Sequence, residues 1–424
     1  MFPKTRNPEL NIGAGKRESV RCAQNGARQL GFADLAALID SGLDRISASG
    51  VAGWHPFVLG ILLSIIAIVL AFPHYGKTSD TSFIPDPGRV MQVMEWKFEH
   101  PLQPIPIDQF FDKDSEASEG GIVNQLRKRS YRIAVPLVAN VLGLSIQGVA
   151  ALQQVGALLF LTITLLLLRR ITQDDLVAFV AAIYMAATYP GQWGFNDDRF
   201  DGIAYLAMLI SVWSRSFIIV LVAVVFGGLT DERAIIAAPL VYLCHSIIPA
   251  DDKPSEKGWL KPFLPGRLHW AVICGVLVFG IIRIYLGIRW GALVDTSGLS
   301  LAGFNVRASL FPLMALNLVK GGIFILAASF LVAIAKREFA TVVFTSLALI
   351  PALGVVALAV DFTRSLAYGF LTFFIAMAVI VRNVELVDTR RLASFAVICS
   401  LFVPTYFLIA WRIYPMLPVF RIFF

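Results

Sequence analysis

The sequence predicts an all-α fold: a polytopic integral membrane helical bundle of about eleven spans, with a long first extracytoplasmic loop carrying interfacial helices. Three observations predict it. The 424-residue chain is 57% hydrophobic and 15% charged, against roughly 45–50% apolar and about 25% charged in soluble domains. Its mean hydropathy is +0.72, which excludes a water-soluble globular domain. Its apolar residues recur in runs, several near the roughly 17 to 25 residues that cross a bilayer as helix.

Segment 1–53 is polar and basic, with Lys4, Arg6, Lys16, Arg17, Arg21, Arg28 and Arg45; the positive-inside rule puts it in the cytoplasm. Within it Leu35, Leu38, Ile39, Leu43 and Ile46 recur at helical spacing opposite Asp34, Asp40 and Asp44. That pattern is an amphipathic helix, lying on the membrane or packed on cytoplasmic loops. The first apolar run starts near residue 54, too far in for a cleavable signal and long enough to span.

Run 54–72 is the first span. Residues 73–132 follow with no spanning segment, and a connection that long is functional or disordered. Phe83, Val90, Val93, Met94, Trp96, Phe98, Phe110 and Phe111 supply apolar anchors, so the expectation is an ordered external loop with one or two interfacial helices. Residues 133–149 read as a re-entrant or shallow helix broken by Gly143 and Gln147, and 151–168 as the next span. Further runs cover 176–189, 203–213, 217–229, 234–249, 268–287, 310–335, 340–360, 365–381 and 392–411. The pair 203–213 and 217–229 is short for spans, as tilted or broken helices are.

Alternating these runs from a cytoplasmic N terminus places Arg169, Arg170, Arg215, Lys253, Lys257, Lys261, Arg267, Lys336, Arg337, Arg382, Arg390 and Arg391 in short inside segments. Arg199, Arg233, Arg289, Arg307, Arg364, Arg412 and Arg421 fall outside. The excess inside supports this orientation. Three regions result: the cytoplasmic segment 1–53, a catalytic-like membrane module 54–249 that includes external loop 73–132, and C-terminal transmembrane helices 250–424.

The net charge of +7 follows from such basic loops, and no basic stripe interleaved with aromatics marks a nucleic-acid surface. Cys22, Cys244, Cys274 and Cys399 are scattered, without the spacing of a zinc site or a disulfide framework. Gly13-Ala14-Gly15-Lys16-Arg17 lacks phosphate-loop spacing and a preceding strand. The histidines are not spaced as ligands and read as surface or packing residues.

Ionisable residues near membrane depth are costly and point to function. Here they gather on the external face: the long loop, Asn196-Asp197-Asp198-Arg199-Phe200-Asp201, and Thr230-Asp231-Glu232-Arg233. Each puts acids beside an arginine at the head of an apolar run. Arginine forks bind phosphate bidentately, and a carboxylate can take a proton from an acceptor hydroxyl. Solvated turns with helix N-caps explain each segment singly; their sharing one face favours an anionic lipid headgroup site.

The segment Arg129-Ser130-Tyr131-Arg132-Ile133-Ala134-Val135-Pro136 resembles the arginine-to-proline membrane entry of bacterial GT-C glycosyltransferases, which take sugar from a polyprenyl-phosphate donor. Asp201-Gly202-Ile203-Ala204-Tyr205-Leu206 followed by Leu229-Thr230-Asp231-Glu232-Arg233-Ala234 is similar to their paired pattern of acidic residue, apolar run and Thr-x-Glu. The resemblance covers roughly 54–249. It implies transfer to a glycan, lipid or protein acceptor at the external face of a bacterial inner membrane, with an aspartate of the first external loop as base. Asp80, Asp86, Asp108, Asp112 and Asp114 are the candidates. Asp86, in Ile84-Pro85-Asp86-Pro87-Gly88-Arg89, is preferred because two prolines fix its turn, with Asp80 second. The adjacent acidic pair that many members carry in this loop is missing.

Under that resemblance Arg129, Arg132, Arg199 and Arg233 would hold donor phosphate, with Arg89, Asp197, Asp198, Asp201 and Glu232 as further substrate-binding residues, and Lys320 would either reach that phosphate or snorkel or pair within the bundle. No cofactor or metal is required; Asp197, Asp198 and Asp201 are where a divalent cation would sit. The expected partners are the polyprenyl-phosphate sugar, membrane lipids and the acceptor, with no nucleic acid. Alternatives are a lipid-linked oligosaccharide flippase, against which stands the absence of an internal repeat, and an O-antigen-type polymerase or ligase, whose large loop usually comes late in the chain.

Overall fold

A computed structural model describes residues 32–75, 87–110, 129–192, 200–248, 263–290, 319–358, 362–403, 405–409 and 412–416. The architecture is a helical bundle. Its elements are α1 (Phe32–Ala48), α2 (Pro56–Tyr75), α3 (Pro87–Glu99), α4 (Ile107–Phe110), α5 (Ala134–Leu142), α6 (Ile146–Thr172), α7 (Asp175–Ala186), α8 (Tyr189–Gln192), α9 (Asp201–Trp213), α10 (Phe217–Thr230), α11 (Ala238–Ile247), α12 (Arg267–Arg289), α13 (Gly322–Ala335), α14 (Phe339–Leu358), α15 (Phe362–Ala367), α16 (Leu371–Asn383) and α17 (Leu386–Phe402). Short 3-10 turns occupy Val51–Gly53, Glu232–Ala237 and Tyr368–Phe370, and an antiparallel ladder of β1 (Thr405–Ile409) and β2 (Arg412–Met416) follows α17.

Local chemistry sets the boundaries. Gly143, at φ 62°, ends α5 in the left-handed region that favours glycine. Ser145 then caps α6 by accepting from Gly148 N at 3.3 Å. The break expected at Gly143 is present, whereas Gln147 lies inside the first turn of α6. Arg169 and Arg170 close α6, where cations suit the C-terminal dipole, and Asp174 caps α7 by accepting from Val177 N at 2.8 Å. The apolar run 392–411 does not stay helical: α17 stops at Phe402. The next residue but one is Pro404, which disfavours helical backbone at Val403 (ψ 114°), and the aromatic and branched residues beyond it form β1.

Among the described residues three helical stretches, Ile146–Thr172, Arg267–Arg289 and Arg364–Asn383, are by length and composition long and apolar enough to cross a membrane. The apolar stretches within α2, α7, α9, α10, α13 and α14 are shorter. One hydrophobic core runs from Ile39 to Val397. α7, α9 and α16 are buried along almost their whole length, which is why they are apolar all round. The outer helices instead expose large aliphatics, among them Ile61 and Ile65 of α2, Ile218 of α10, Ile281 and Ile288 of α12, and Leu331 of α13. An apolar surface of that extent is compatible with a membrane protein.

Ion pairs and caps sort the helix ends into two sets. At one end Arg169 donates to Ala52 O (2.6 Å), Arg170 to Trp213 O (2.9 Å), and Arg390 pairs with Asp174 (2.6 Å), Arg382 with Glu338 (2.9 Å) and Arg391 with Asp40 (2.7 Å). Through that last pair and the buried Ile39 and Leu43, α1 packs on the bundle. Close approach of α10 and α12 depends on glycine: a Cβ at Gly228 would lie 2.7 Å from Phe279 Cδ2, and one at Gly275 2.9 Å from Val224.

In segment 87–110, α3 packs against α5. Lys97 is buried, donates to Pro101 O (2.9 Å) and Gln103 O (2.7 Å), and sits 5.4 Å from the Trp290 ring centre. Burial lowers its amine from 10.5 to about 7. Between those values the unfolded segment binds more protons than the folded one, so stability of this segment rises with pH across that window and is at its lowest below it. Amide exchange over residues 96–107, corrected for its intrinsic pH dependence, should therefore slow relative to the rest of the chain from pH 7 to 10. In Lys97→Met the trend should vanish; persistence there would assign it to another group.

Candidate functional site

The opposite end of the bundle holds a buried ionic cluster built from four separate chain segments. Arg132 stands in the turn that leads into α5. That turn is pinned by Arg132 N donating to Arg129 O (3.0 Å) and by Ser130 Oγ accepting from Ile105 N (3.0 Å). Asp201 opens α9 directly after Phe200, whose φ of 62° turns the chain sharply into the helix. Asp231 ends α10 and begins the 3-10 turn that carries Glu232 and Arg233. Arg364 comes from α15, far along the sequence.

Arg364 forks onto Asp201, its Nε on Oδ2 and its Nη2 on Oδ1 at 2.7 Å. Arg233 binds Asp231 through Nη2 at 2.6 Å and through Nε at 3.0 and 3.1 Å, and its Nη2 also reaches Asp201 Oδ1 at 3.3 Å. Arg132 donates to Asp231 Oδ1 and to both oxygens of Glu232, each at 3.3 Å. Arg364 Nη2 lies 3.9 Å from Asp231. Three guanidinium groups thus face three carboxylates in one connected network.

Burial is graded across it. The Asp201 and Asp231 side chains are 0% exposed, Arg132 and Arg233 12%, and Glu232 35%. Glu232 is the member that meets solvent, on long contacts to Arg132. Burial pushes the Asp231 carboxyl up, but Arg132, Arg233 and Arg364 outweigh it and hold the group well below the usual carboxylate range. For Glu232 burial again raises and Arg132 again prevails, leaving it lowered. Arg132 is raised: burial opposes its charge, and Asp231 and Glu232 more than offset that.

Aromatic side chains back the network. Tyr205, one turn after Asp201, donates to Arg364 O at 3.3 Å and meets the ring of Tyr368 edge-on at 4.7 Å. Tyr368 is fully buried, and its hydroxyl has no hydrogen-bond partner among the described residues. Near Arg132, the Arg283 guanidinium lies 3.6 Å from the Tyr131 ring centre, a cation–π contact.

Of the residues expected from sequence, the fold brings Arg132, Asp201, Glu232 and Arg233 together. Arg129 lies beside Met94, its Nη1 4.0 Å from Sδ. Lys320 takes a different place: buried, with φ 44°, it donates to Ala187 O at 2.6 Å and so satisfies a carbonyl just past the end of α7. Asp80, Asp86, Asp197, Asp198 and Arg199 lie outside the described residues, and the Arg89 side chain does too. Among the described residues no group of three or more His, Cys, Asp or Glu is arranged to hold a metal ion, and Asp201, expected as a cation ligand, has both oxygens on Arg364.

Arg364, Asp231, Tyr205 and Tyr368 were not singled out by sequence. A signal for Arg364 exists: Asp361-Phe362-Thr363-Arg364 is another acid beside an arginine at the head of an apolar run. The tyrosines each follow a charged partner by four residues, which puts them on the same helical face. No family model, curated protein or solved structure matches the chain.

Proposed function

We propose that the chain is a polytopic membrane glycosyltransferase of GT-C type. It would transfer sugar from a polyprenyl-phosphate donor to a glycan, lipid or protein acceptor at the external face of a bacterial inner membrane. The observation that carries this reading is the convergence of Arg132, Asp201, Asp231, Glu232, Arg233 and Arg364 at one end of an apolar bundle. Buried charges at such an end are costly and by default point to function.

In this reading the remaining apolar runs complete about eleven spans, with the N terminus in the cytoplasm. The acceptor oxygen attacks the anomeric carbon as Asp86 takes its proton, and the bond from that carbon to the phosphate oxygen breaks. Negative charge then grows on the departing polyprenyl phosphate. Arg132 and Arg233 stabilise it, fixed beforehand by Asp231 so that no reorganisation is needed at the moment of transfer. Glu232, partly exposed on 3.3 Å contacts, is the partner that a phosphate group displaces from Arg132.

The test is turnover. Purified protein in lipid nanodiscs is given a panel of polyprenyl-phosphate sugars, products are followed by mass spectrometry, and Asp86→Ala and Asp80→Ala are run alongside. Consumption of one donor, lost in Asp86→Ala with the protein still folded, is the expected result. Normal activity in that variant refutes the base assignment. Binding or leaflet exchange of a polyprenyl lipid without consumption turns the account toward a flippase.

A further inference from the structure

At the end of the bundle away from the ionic cluster, two basic side chains meet the last turn of α9 and a third follows it. Arg170 of α6 donates through Nη1 to Trp213 O at 2.9 Å, and His245 of α11 through Nε2 to Ser211 O at 2.9 Å. Arg215 lies in the turn that joins α9 to α10. The charged groups that act on His245 are Arg215, His269 and Arg170, and none of them is an acid.

Hydrogen bonding leaves His245 one open position. Its Nε2 serves Ser211 O, so Nδ1 is a lone pair in the neutral ring and an N–H in the ionised one. That atom is buried and has no partner among the described residues. His269, whose ring centre is 6.3 Å away, differs. Its Nδ1 accepts from Gly266 N at 2.9 Å, which puts its own proton on Nε2, toward Ser246 Oγ at 2.9 Å, and favours the neutral ring.

The acids nearest Arg170 in sequence are engaged elsewhere. Asp174 pairs with Arg390 at 2.6 Å and Asp175 with Arg169 at 2.9 Å, and Arg170 makes no ion pair among the described residues. Helix ends do not cancel its charge either. α6, α9 and α11 finish here while α10 and α12 begin here, so at roughly half a charge each they sum to about minus one half, against the full charge of Arg170 alone.

We infer that Arg170, Arg215 and His245 form an anion site of their own, which takes a phosphate group, carried by a lipid headgroup or free in solution. Three donors from three chain segments suit the several oxygens of a tetrahedral anion, whereas a planar carboxylate is served by one arginine fork. Basic pockets between spanning helices are known seats of headgroup phosphates. The assignment does not rest on the reading of the opposite cluster. Ionised His245 donates to the anion from Nδ1, so binding takes up a proton. Of the elements packed on α11, α14 holds no titratable residue, and Arg382 of α16 pairs with Glu338. Arginine keeps its charge throughout and His269 is held neutral, so affinity should rise as pH falls through the range in which histidine ionises.

The experiment places the full chain, with isotopically labelled nitrogen in its histidine rings, in phosphatidylcholine nanodiscs and reads those nitrogens by NMR. The His245 signals are the ones missing in His245→Gln. One arm titrates inorganic phosphate; the other replaces part of the phosphatidylcholine by phosphatidylglycerol. Saturable movement of the Nδ1 signal from its lone-pair to its protonated position, stronger at pH 6 than at pH 8, is the expected result. The arm that produces it tells a soluble phosphate from a headgroup. Arg215→Gln should weaken binding about tenfold or more, with Arg170→Gln as the second variant should the first fail to fold, and Arg132→Gln at the other end should leave it unchanged. No movement in either arm overturns the site, as does movement that matching chloride reproduces or that both Arg215→Gln and Arg170→Gln keep in full.

Discussion

Asp201→Ala is expected to cost about 3–5 kcal/mol of stability, the range for removing one partner of a buried ion pair. The reason is the charge it strands. Arg364 has a side chain only 5% exposed, and its fork is committed to the two Asp201 oxygens. Without them the nearest carboxylate of the network is Asp231, 3.9 Å away and already bound by Arg132 and Arg233. That residual attraction sets the expected loss at the lower end of the range. Asp201→Leu combined with Arg364→Met removes both charges and should be less damaging than the sum of the two single changes, because the single variants share one cause. Reversible unfolding of the purified variants, followed by tryptophan fluorescence, measures both. A fully stable Asp201→Ala protein would mean that the network does not form.

Arg132→Gln is expected to separate function from folding. Its removal leaves Asp231 held by Arg233 at 2.6 Å, and frees Glu232, which is already partly exposed. Stability should fall by roughly 1.5–3 kcal/mol, the range for hydrogen bonds to charged groups, because the three 3.3 Å contacts to Asp231 and Glu232 are lost. Turnover of the polyprenyl-phosphate donor should fall by roughly 10²–10³-fold, the loss typical of deleting one preorganised donor to a developing anion. Arg132→Lys should restore little of it, since an ammonium cannot reproduce a two-point fork. The comparison of kcat with stability in these variants separates a phosphate clamp from a structural brace: a brace would lower stability and activity together.

The sequence made one part of this site legible and hid another, for physical reasons. Arg132, Asp201, Glu232 and Arg233 stand out because a charge at the head of an apolar run is costly unless used; a shared expected face allowed them to meet, and it is the packing of the helices that brings them together. Arg364 obeys the same rule. It is easy to pass over because its partner Asp201 lies 163 positions away in the sequence, and nothing local announces a pairing at that distance. Lys320 shows the converse. A lysine within an apolar run reads equally as a phosphate contact, a snorkelling cation or a partner inside the bundle, and its φ of 44° and bond to Ala187 O give the last of these, a helix-end cap that depends on another helix stopping beside it. Helix edges follow the same division. Gly143 and Pro404 mark breaks that local backbone chemistry dictates, while the start of α6 at Ile146, ahead of Gln147, depends on the Ser145 cap and on packing beyond.

The central claim is that Arg132 and its neighbours form a phosphate site at the end of the bundle. Its most direct test is equilibrium binding of a long-chain polyprenyl phosphate to wild type and Arg132→Gln protein in nanodiscs of neutral lipid, at low and high salt. The account predicts saturable binding by wild type that weakens with salt, because the cluster's exposed rim is screened, and at least about tenfold weaker binding by Arg132→Gln. Equal binding by the two proteins, or none by either, would contradict it.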